Sequence, residues 1–220
     1  MILIIDYDMG NLNNVMKAFN KMGYADVVIS NKVEDVKKAD AFVLAGVGAF
    51  GDAMNNLKKL KLIEPLTEAV MKEGKPILGI CLGVQLLGTE GEEGGKHGGL
   101  NFLPMTIKLL DISRDDSLRL PHIGWDDTYI LKKDSILFKD VLNGADFYYV
   151  HSYYTSCNKD YIIVAVCDYG QEFVSAVEYK NIFGTQFHPE KSHRYGLQII
   201  KNFADYVKSF ENKEENKDGD

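Results

Sequence analysis

Ile77-Leu78-Gly79-Ile80-Cys81-Leu82-Gly83 decides how this chain is read. An apolar run over residues 77–80 breaks between two glycines and gives way to a helical pattern, as a strand does when it turns sharply into a helix. Such an elbow presents Cys81 at the end of the strand. A free thiol ionises at about pH 8.5, oriented N–H groups at a helix start favour its thiolate, and thiolate is the attacking species. Alone, Cys81 fits packing as well, because free cysteine is among the most buried residue types. Gly79 and Gly83 favour the elbow, since they permit close backbone approach and a tight helix start.

Upstream, residues 2–5 read as a strand, and Leu12, Val15, Met16, Phe19 and Met22 then recur at helical spacing, with Asn11 placed to cap the start and Gly23 just past the end. Residues 27–29 and 41–45 read as the next two strands, and one helical stretch over residues 53–72 ends at Gly74. Strands alternating with helices predict a mostly parallel sheet covered on both faces. Downstream the pattern changes: residues 105–110, 146–150, 161–167, 173–178 and 182–187 are strand-like with short connections. The expected fold is α/β, a mostly parallel central sheet flanked by helices, with an antiparallel extension. Leu197, Ile200, Phe203, Val207 and Phe210 mark a last helix; residues 211–220 are polar, charged and expected to be a disordered tail to a domain over residues 1–210.

The chain has 220 residues, 45% of them hydrophobic, enough for one substantial core. A net charge of −7, with no Lys/Arg stripe interleaved with aromatics, argues against nucleic acid as a ligand. The N-terminus meets Asp6 after four apolar residues, too few for a signal peptide or a membrane span, so a cytoplasmic protein is expected. Cys81, Cys157 and Cys167 form no Cys-x-x-Cys pair, so neither a disulfide framework nor a metal site is indicated. Cys157 and Cys167 are assigned to packing.

A base follows Cys81 at a distance of 188 − 81 = 107 positions, in Gln186-Phe187-His188-Pro189-Glu190. His188 ends an apolar run, precedes a proline and has Glu190 close enough to orient its ring. Cys, His and Glu are the parts of an activated-thiol hydrolase. Leu44-Ala45-Gly46-Val47-Gly48-Ala49-Phe50 is a glycine-punctuated loop after the third strand. In an open α/β sheet it lies beside Cys81, outside the carboxyl ends of the strands. The N–H groups of Val47 or Gly48, with that of Leu82, can form an oxyanion hole worth roughly a hundredfold per donor. The segment over residues 88–99, with Glu90, Glu92 and Glu93, reads as a mobile loop near the site or as a solvated connector.

Cys81 within Gly-Ile-Cys-Leu-Gly-Val-Gln, with His188 and Glu190 in Gln-Phe-His-Pro-Glu, resembles the class I (triad) glutamine amidotransferases. Further strings point to one branch: Ile4-Ile5-Asp6-Tyr7-Asp8-Met9-Gly10-Asn11-Leu12, Gly46 to Phe50, Pro121-His122-Ile123-Gly124-Trp125, Tyr149-Val150-His151-Ser152-Tyr153 and the run from Phe183 to Ser192. Together they resemble the glutaminase subunits of imidazole glycerol phosphate synthase, over residues 2–207.

The resemblance implies that Cys81 attacks the glutamine carboxamide, that Val47 and Leu82 receive the oxyanion, and that His188, oriented by Glu190, protonates departing ammonia and then activates water on the thioester. It implies glutamine recognition by Gln85, by Glu93 and by His151, Ser152 and Tyr153. No cofactor is implied. The implied partner is a (β/α)8 barrel cyclase that receives the ammonia in a heterodimer, with Asn11, His122, Trp125 and Tyr148 facing it; Trp125 can equally be an ordinary core tryptophan. Against the family pattern, Asp8 replaces glycine, Ala45 proline and Asp126 asparagine. Ala45 leaves Leu44 less restricted, which is expected to loosen the oxyanion loop and alter partner-free activity. Asp8 and Asp126 add acid near the docking face and keep open a paralogous role, supplying ammonia to amidinate a nucleotide-linked surface sugar. A cysteine peptidase or glutamyl hydrolase does not account for the strings at Asp6 to Leu12 and Pro121 to Trp125. The intact triad argues against a catalytically silent role.

Overall fold

Alternating apolar strands and amphipathic helices build the first half of the computed structural model, which describes residues 1–215. The order is β1 (Ile2–Ile5), α1 (Leu12–Lys21), β2 (Val27–Ser30), α2 (Val33–Lys38), β3 (Ala41–Gly46), α3 (Phe50–Lys59), α4 (Ile63–Thr67), β4 (Ile77–Cys81) and α5 (Leu82–Leu86). Two short strands follow, β5 (Glu90–Gly91) and β6 (His97–Gly98), then β7 (Thr106–Leu109), β8 (His122–Ile130), β9 (Ala145–His151), β10 (Tyr153–Ser156), β11 (Ile163–Asp168), β12 (Glu172–Tyr179), β13 (Ile182–Thr185) and α6 (His193–Glu215). The last helix thus continues into the segment expected to be a tail; residues 216–220 of that tail lie outside the described residues.

The sheet runs β2-β1-β3-β4-β13-β12-β10-β7-β5-β6, with β11, β8 and β9 branching from β12. The strands from β2 to β13 pair in parallel, and β12 turns the sheet antiparallel. Alternation along β1 sends Ile2 and Ile4 into one core and Leu3 and Ile5 into the other, one on each face of the sheet. The register sets Gly46 beside Cys81 and Thr185 beside Ile80, so the ends of β3, β4 and β13 converge on one edge.

Two expectations change. The stretch over residues 53–72 is not one helix: it breaks after Lys59, Lys61 takes a left-handed φ of 58°, and the final turn at Glu68–Lys72 widens to a π-helix. The helix after Cys81, α5, is short, and its buried side chains pack on β3 and β4 and against α3. The glycine-rich segment, expected as a loop or a connector, is a hydrogen-bonded hairpin. Its β5 pairs with β6 and β7, and Glu92 N–H and Gly99 N–H donate to Ile107 O and Thr89 O. Periodicity missed β8, β10 and α2. β8 alternates buried His122 with exposed Ile123 and Trp125, a half-solvated pattern that reads as polar loop. No helix among the described residues is long and apolar enough to cross a membrane.

Candidate active site

Cys81 closes β4 with φ 53° and ψ −109°, a conformation that costs a non-glycine residue about 1–3 kcal/mol and persists only where packing over-determines it. Packing does so here. A Cβ on Gly83 would lie 1.6 Å from Leu44 O, so only glycine lets α5 press on the backbone of β3. Leu44 itself is extended in β3, in register with Gly79, so the freedom that Ala45 gives it is not expressed in the strand.

The structure brings the three candidate catalytic residues together. His188 and Glu190 follow β13, the neighbour of β4, and a 3-10 turn at Pro189–Lys191 folds the carboxylate back on the ring: His188 Nδ1 donates to Glu190 Oε1 at 2.8 Å. Both side chains are 4% exposed. His188 Nε2 is buried and lacks a settled hydrogen-bond partner, as a group poised for substrate should be. Burial alone would lower the basicity of His188, but the neighbouring Cys81 and Glu190 push it up to about 9.

In front of Cys81 lies a cavity of about 350 Å³ lined by Val47, Gly48, Leu82, Gln85 and Glu93 and by the 150–153 segment, which includes His151, Ser152 and Tyr153. The candidate oxyanion and glutamine-binding residues therefore share one chamber with the thiol. Val47 and Gly48 N–H groups bond to nothing among the described residues, and Gly48 holds the loop's turn at φ 122°. Glu93 Oε2 accepts from Phe50 N–H at 2.8 Å, so the hairpin tip caps the first turn of α3 and anchors the far end of the same loop.

Two candidate ligand contacts are already occupied. Gln85 Nε2 donates to Tyr153 O at 2.8 Å and to Gln186 Oε1 at 3.2 Å. His151 uses Nδ1 on Tyr153 O at 2.9 Å and Nε2 on His122 at 3.2 Å. These two side chains brace the cavity wall with hydrogen bonds among themselves and their neighbours. Sequence reasoning passed over Gln186, which is 1% exposed and points its amide at Cys81 Sγ, 3.9 Å away. Its place immediately before the Phe-His-Pro-Glu string was the available signal.

Of the residues expected at a docking face, Asn11 is exposed, Trp125 is 40% exposed and Tyr148 is half-buried. Trp125 is thus no core tryptophan: it stacks on His193 at 4.6 Å and meets Tyr148 edge-on. His122 is a correction. It has no exposed surface and lies between the rings of Tyr149 and Tyr169, because alternation along β8 turns it inward while Ile123 and Trp125 face out.

The model of the family "Glutamine amidotransferase class-I" matches residues 3–206. Imidazole glycerol phosphate synthase subunit HisH 1 of Campylobacter jejuni subsp. jejuni serotype O:23/36 is 47% identical over 204 residues, covering 93% of this chain and 99% of that protein. HisH 2 of Vibrio vulnificus is 45% identical, with 94% and 95% covered. Among solved structures, a chain of PurLQS from Thermotoga maritima superposes with a TM-score of 0.67 at 18% identity, covering 94% of this chain and 98% of that one. The glutaminase domain of Trypanosoma brucei CTPS superposes with 0.62 at 18%, covering 93% of each; these two show the fold. With the family model spanning nearly the whole chain and relatives near half identical end to end, the chain belongs to the class I glutamine amidotransferases, in the branch of the HisH subunits of imidazole glycerol phosphate synthase.

Proposed function

We propose that the chain hydrolyses glutamine to glutamate and ammonia as the glutaminase subunit of imidazole glycerol phosphate synthase, with Cys81 as nucleophile. The observation that carries this is a strained, buried thiol beside a raised, carboxylate-oriented imidazole, facing a cavity with two free backbone donors. Cys81 thiolate adds to the side-chain carboxamide carbon of glutamine. The oxygen's charge is received by N–H groups of Val47 or Gly48 and of Leu82, and His188 Nε2 gives its proton to the amide nitrogen as the C–N bond breaks. Ammonia leaves and a γ-glutamyl thioester remains. His188 then takes a proton from water, the oxygen attacks the thioester, and glutamate departs as the thiolate returns; Glu190 holds the imidazole through Nδ1 in both steps.

Ammonia released into water is protonated and lost as a nucleophile, which favours direct transfer to a partner. A (β/α)8 barrel cyclase seated on the face of Trp125, Tyr148 and Asn11 is the receiving subunit in this reading. The similarity to named HisH subunits supports that acceptor over a nucleotide-linked sugar. The reduced thiol suits the cytoplasm, where we place the protein.

The test is glutamate release by purified protein, alone and with the barrel cyclase. Cys81→Ala is expected to remove turnover in both conditions, by at least about a thousandfold. Release that survives Cys81→Ala would overturn the assignment.

A further inference from the structure

A chain of buried polar groups runs from the thiol to the surface. Gln186 Nε2 points at Cys81 Sγ, 3.9 Å away, and Gln186 Oε1 accepts from Gln85 Nε2 at 3.2 Å. Gln85 Nε2 also donates to Tyr153 O, at 2.8 Å, and the same carbonyl accepts from His151 Nδ1 at 2.9 Å. His151 Nε2 meets His122 Nδ1 at 3.2 Å, and His122 Nε2 meets Asp126 Oδ2 at 2.6 Å. Gln186, Gln85, His151 and His122 are all less than 9% exposed, whereas the Asp126 side chain is 39% exposed, next to Trp125. Strand periodicity puts His122, Gly124 and Asp126 on one face of β8.

With His151 neutral, donors and acceptors along this chain leave one assignment. A carbonyl only accepts, so His151 Nδ1 carries a hydrogen. His151 stays neutral, held down to about 3 by burial and by the neighbouring His122, so its Nε2 is bare and His122 Nδ1 must donate to it. A neutral His122 would then turn a bare Nε2 toward a carboxylate oxygen at 2.6 Å, two acceptors in contact. One proton must sit between His122 Nε2 and Asp126 Oδ2. Burial weakens the hold of His122 on that proton and Asp126 opposes the loss. The other ionisable groups packed on His122 are His151, the Tyr149 ring at 5.0 Å and the Tyr169 ring at 3.9 Å; burial keeps the Tyr149 phenol protonated, and Phe173 meets the ring edge-on. Asp126 Oδ2 is therefore the group in hydrogen-bond contact with His122 Nε2.

We infer that His122 and Asp126 are positioning residues for the thiol: the proton they share at the half-exposed edge of β8 sets, through His151, the Tyr153 carbonyl and Gln85, the orientation of Gln186 on Cys81. The inference rests on the glutaminase reading for its consequence in turnover and on geometry alone for its consequence in thiol reactivity. A partner seated on β8 beside Trp125 changes the surroundings of Asp126, and so has a route to the nucleophile that needs no movement of the backbone.

The experiment measures glutamine turnover with the barrel cyclase present, and the rate of Cys81 alkylation by iodoacetamide, across pH 5.5 to 8.5. Asp126→Ala is expected to lower kcat and slow alkylation about tenfold with KM within about twofold, while the far-UV spectrum stays unchanged and the thermal midpoint falls by only a few degrees, as one lost part-buried hydrogen bond costs. Asp126→Asn, whose amide N–H can donate to neutral His122 Nε2, is expected to keep both rates within about twofold and to remove the pH step that the shared proton produces. In a Gln85→Ala background, which cuts the chain, Asp126→Ala is expected to change alkylation by less than about twofold. Wild-type rates in Asp126→Ala, an equal loss in Asp126→Asn, or a tenfold loss that persists in the Gln85→Ala background would each overturn the inference. A wild-type protein that releases no glutamate would overturn the glutaminase reading instead, and the alkylation rates would still decide whether the chain operates.

Discussion

The parallel and antiparallel halves of the sheet build the same site by different means. From β2 to β13 the work is done by backbone: a left-handed Cys81, Gly83 against the Leu44 carbonyl, and free N–H groups at Val47 and Gly48. In the antiparallel half it is done by side-chain hydrogen bonds. Besides the run from Asp126 to Gln186, Tyr149 Oη is bonded to Thr128 Oγ1 at 2.7 Å and to Ser175 Oγ at 2.6 Å, with all three groups buried. Backbone positions tolerate almost no added volume because the interior is close-packed. Hydrogen-bonded side chains tolerate exchange if donors and acceptors still match. Where the nucleophile must be held rigid, the fold uses the first; where its setting must respond to the surface, it uses the second.

Gly83→Ala breaks the backbone half most directly. Its Cβ meets Leu44 O at 1.6 Å, so α5 must move off β3. A loss of about 3 kcal/mol or more is expected in chemical denaturation, with glutaminase activity lost together with the elbow. A variant within about 1 kcal/mol of wild type would show that the elbow is not locked by this contact.

Glu190→Gln tests the junction of the halves. It retains a hydrogen-bond acceptor for His188 Nδ1 but removes the charge that helps hold His188 at about 9. Turnover is expected to fall about a hundredfold, with the alkaline limb of the pH profile moving to lower pH. The linkage has a defined sign. A folded value raised above the ordinary 6.5 stabilises the fold fully below about pH 6.5, and that contribution is lost as pH rises through about 9. The thermal midpoint of wild type should therefore decline across this window more steeply than that of Glu190→Gln.

The smallest effect is expected at Tyr7, just beyond β1. Its hydroxyl is fully buried without a hydrogen-bond partner among the described residues and presses on Gly46, where a Cβ would lie 2.1 Å away. Tyr7→Phe removes an unsatisfied polar group and keeps the ring, so stability should rise by about 1 kcal/mol while turnover stays within about twofold. A loss of stability would reveal a partner for the hydroxyl and a polar element in the backbone half.

Legibility in the sequence follows the same division. β1, β3 and β4 are continuous apolar runs, as strands buried on both faces must be, and Gly79, Gly83 and the cysteine between them spelled out the elbow. The grouping of Cys81, His188, Glu190, Val47 and Gly48 was legible because it depends on strand ends and glycine punctuation. β8 was not, because one of its faces is solvated and the other carries His122, Gly124 and Asp126, an unpromising string for a nine-residue strand. Gln186 went unremarked between two louder neighbours. The break at Lys61 was hidden because helical spacing persists across it, whereas a left-handed φ in a lysine leaves no mark in composition.

By itself the sequence determined the α/β order, the elbow with its thiol, the base and its orienting carboxylate, since each is written in residues adjacent along the chain or in one strand's periodicity. Only the tertiary structure decided that His122 is buried rather than at the docking face, that Gln85 and His151 brace the cavity wall, and that Asp126 and Cys81 are joined. Those relations cross β4, β8, β9 and the turn into β10, and a hydrogen bond between distant segments depends on register and ring orientation, which no local pattern encodes.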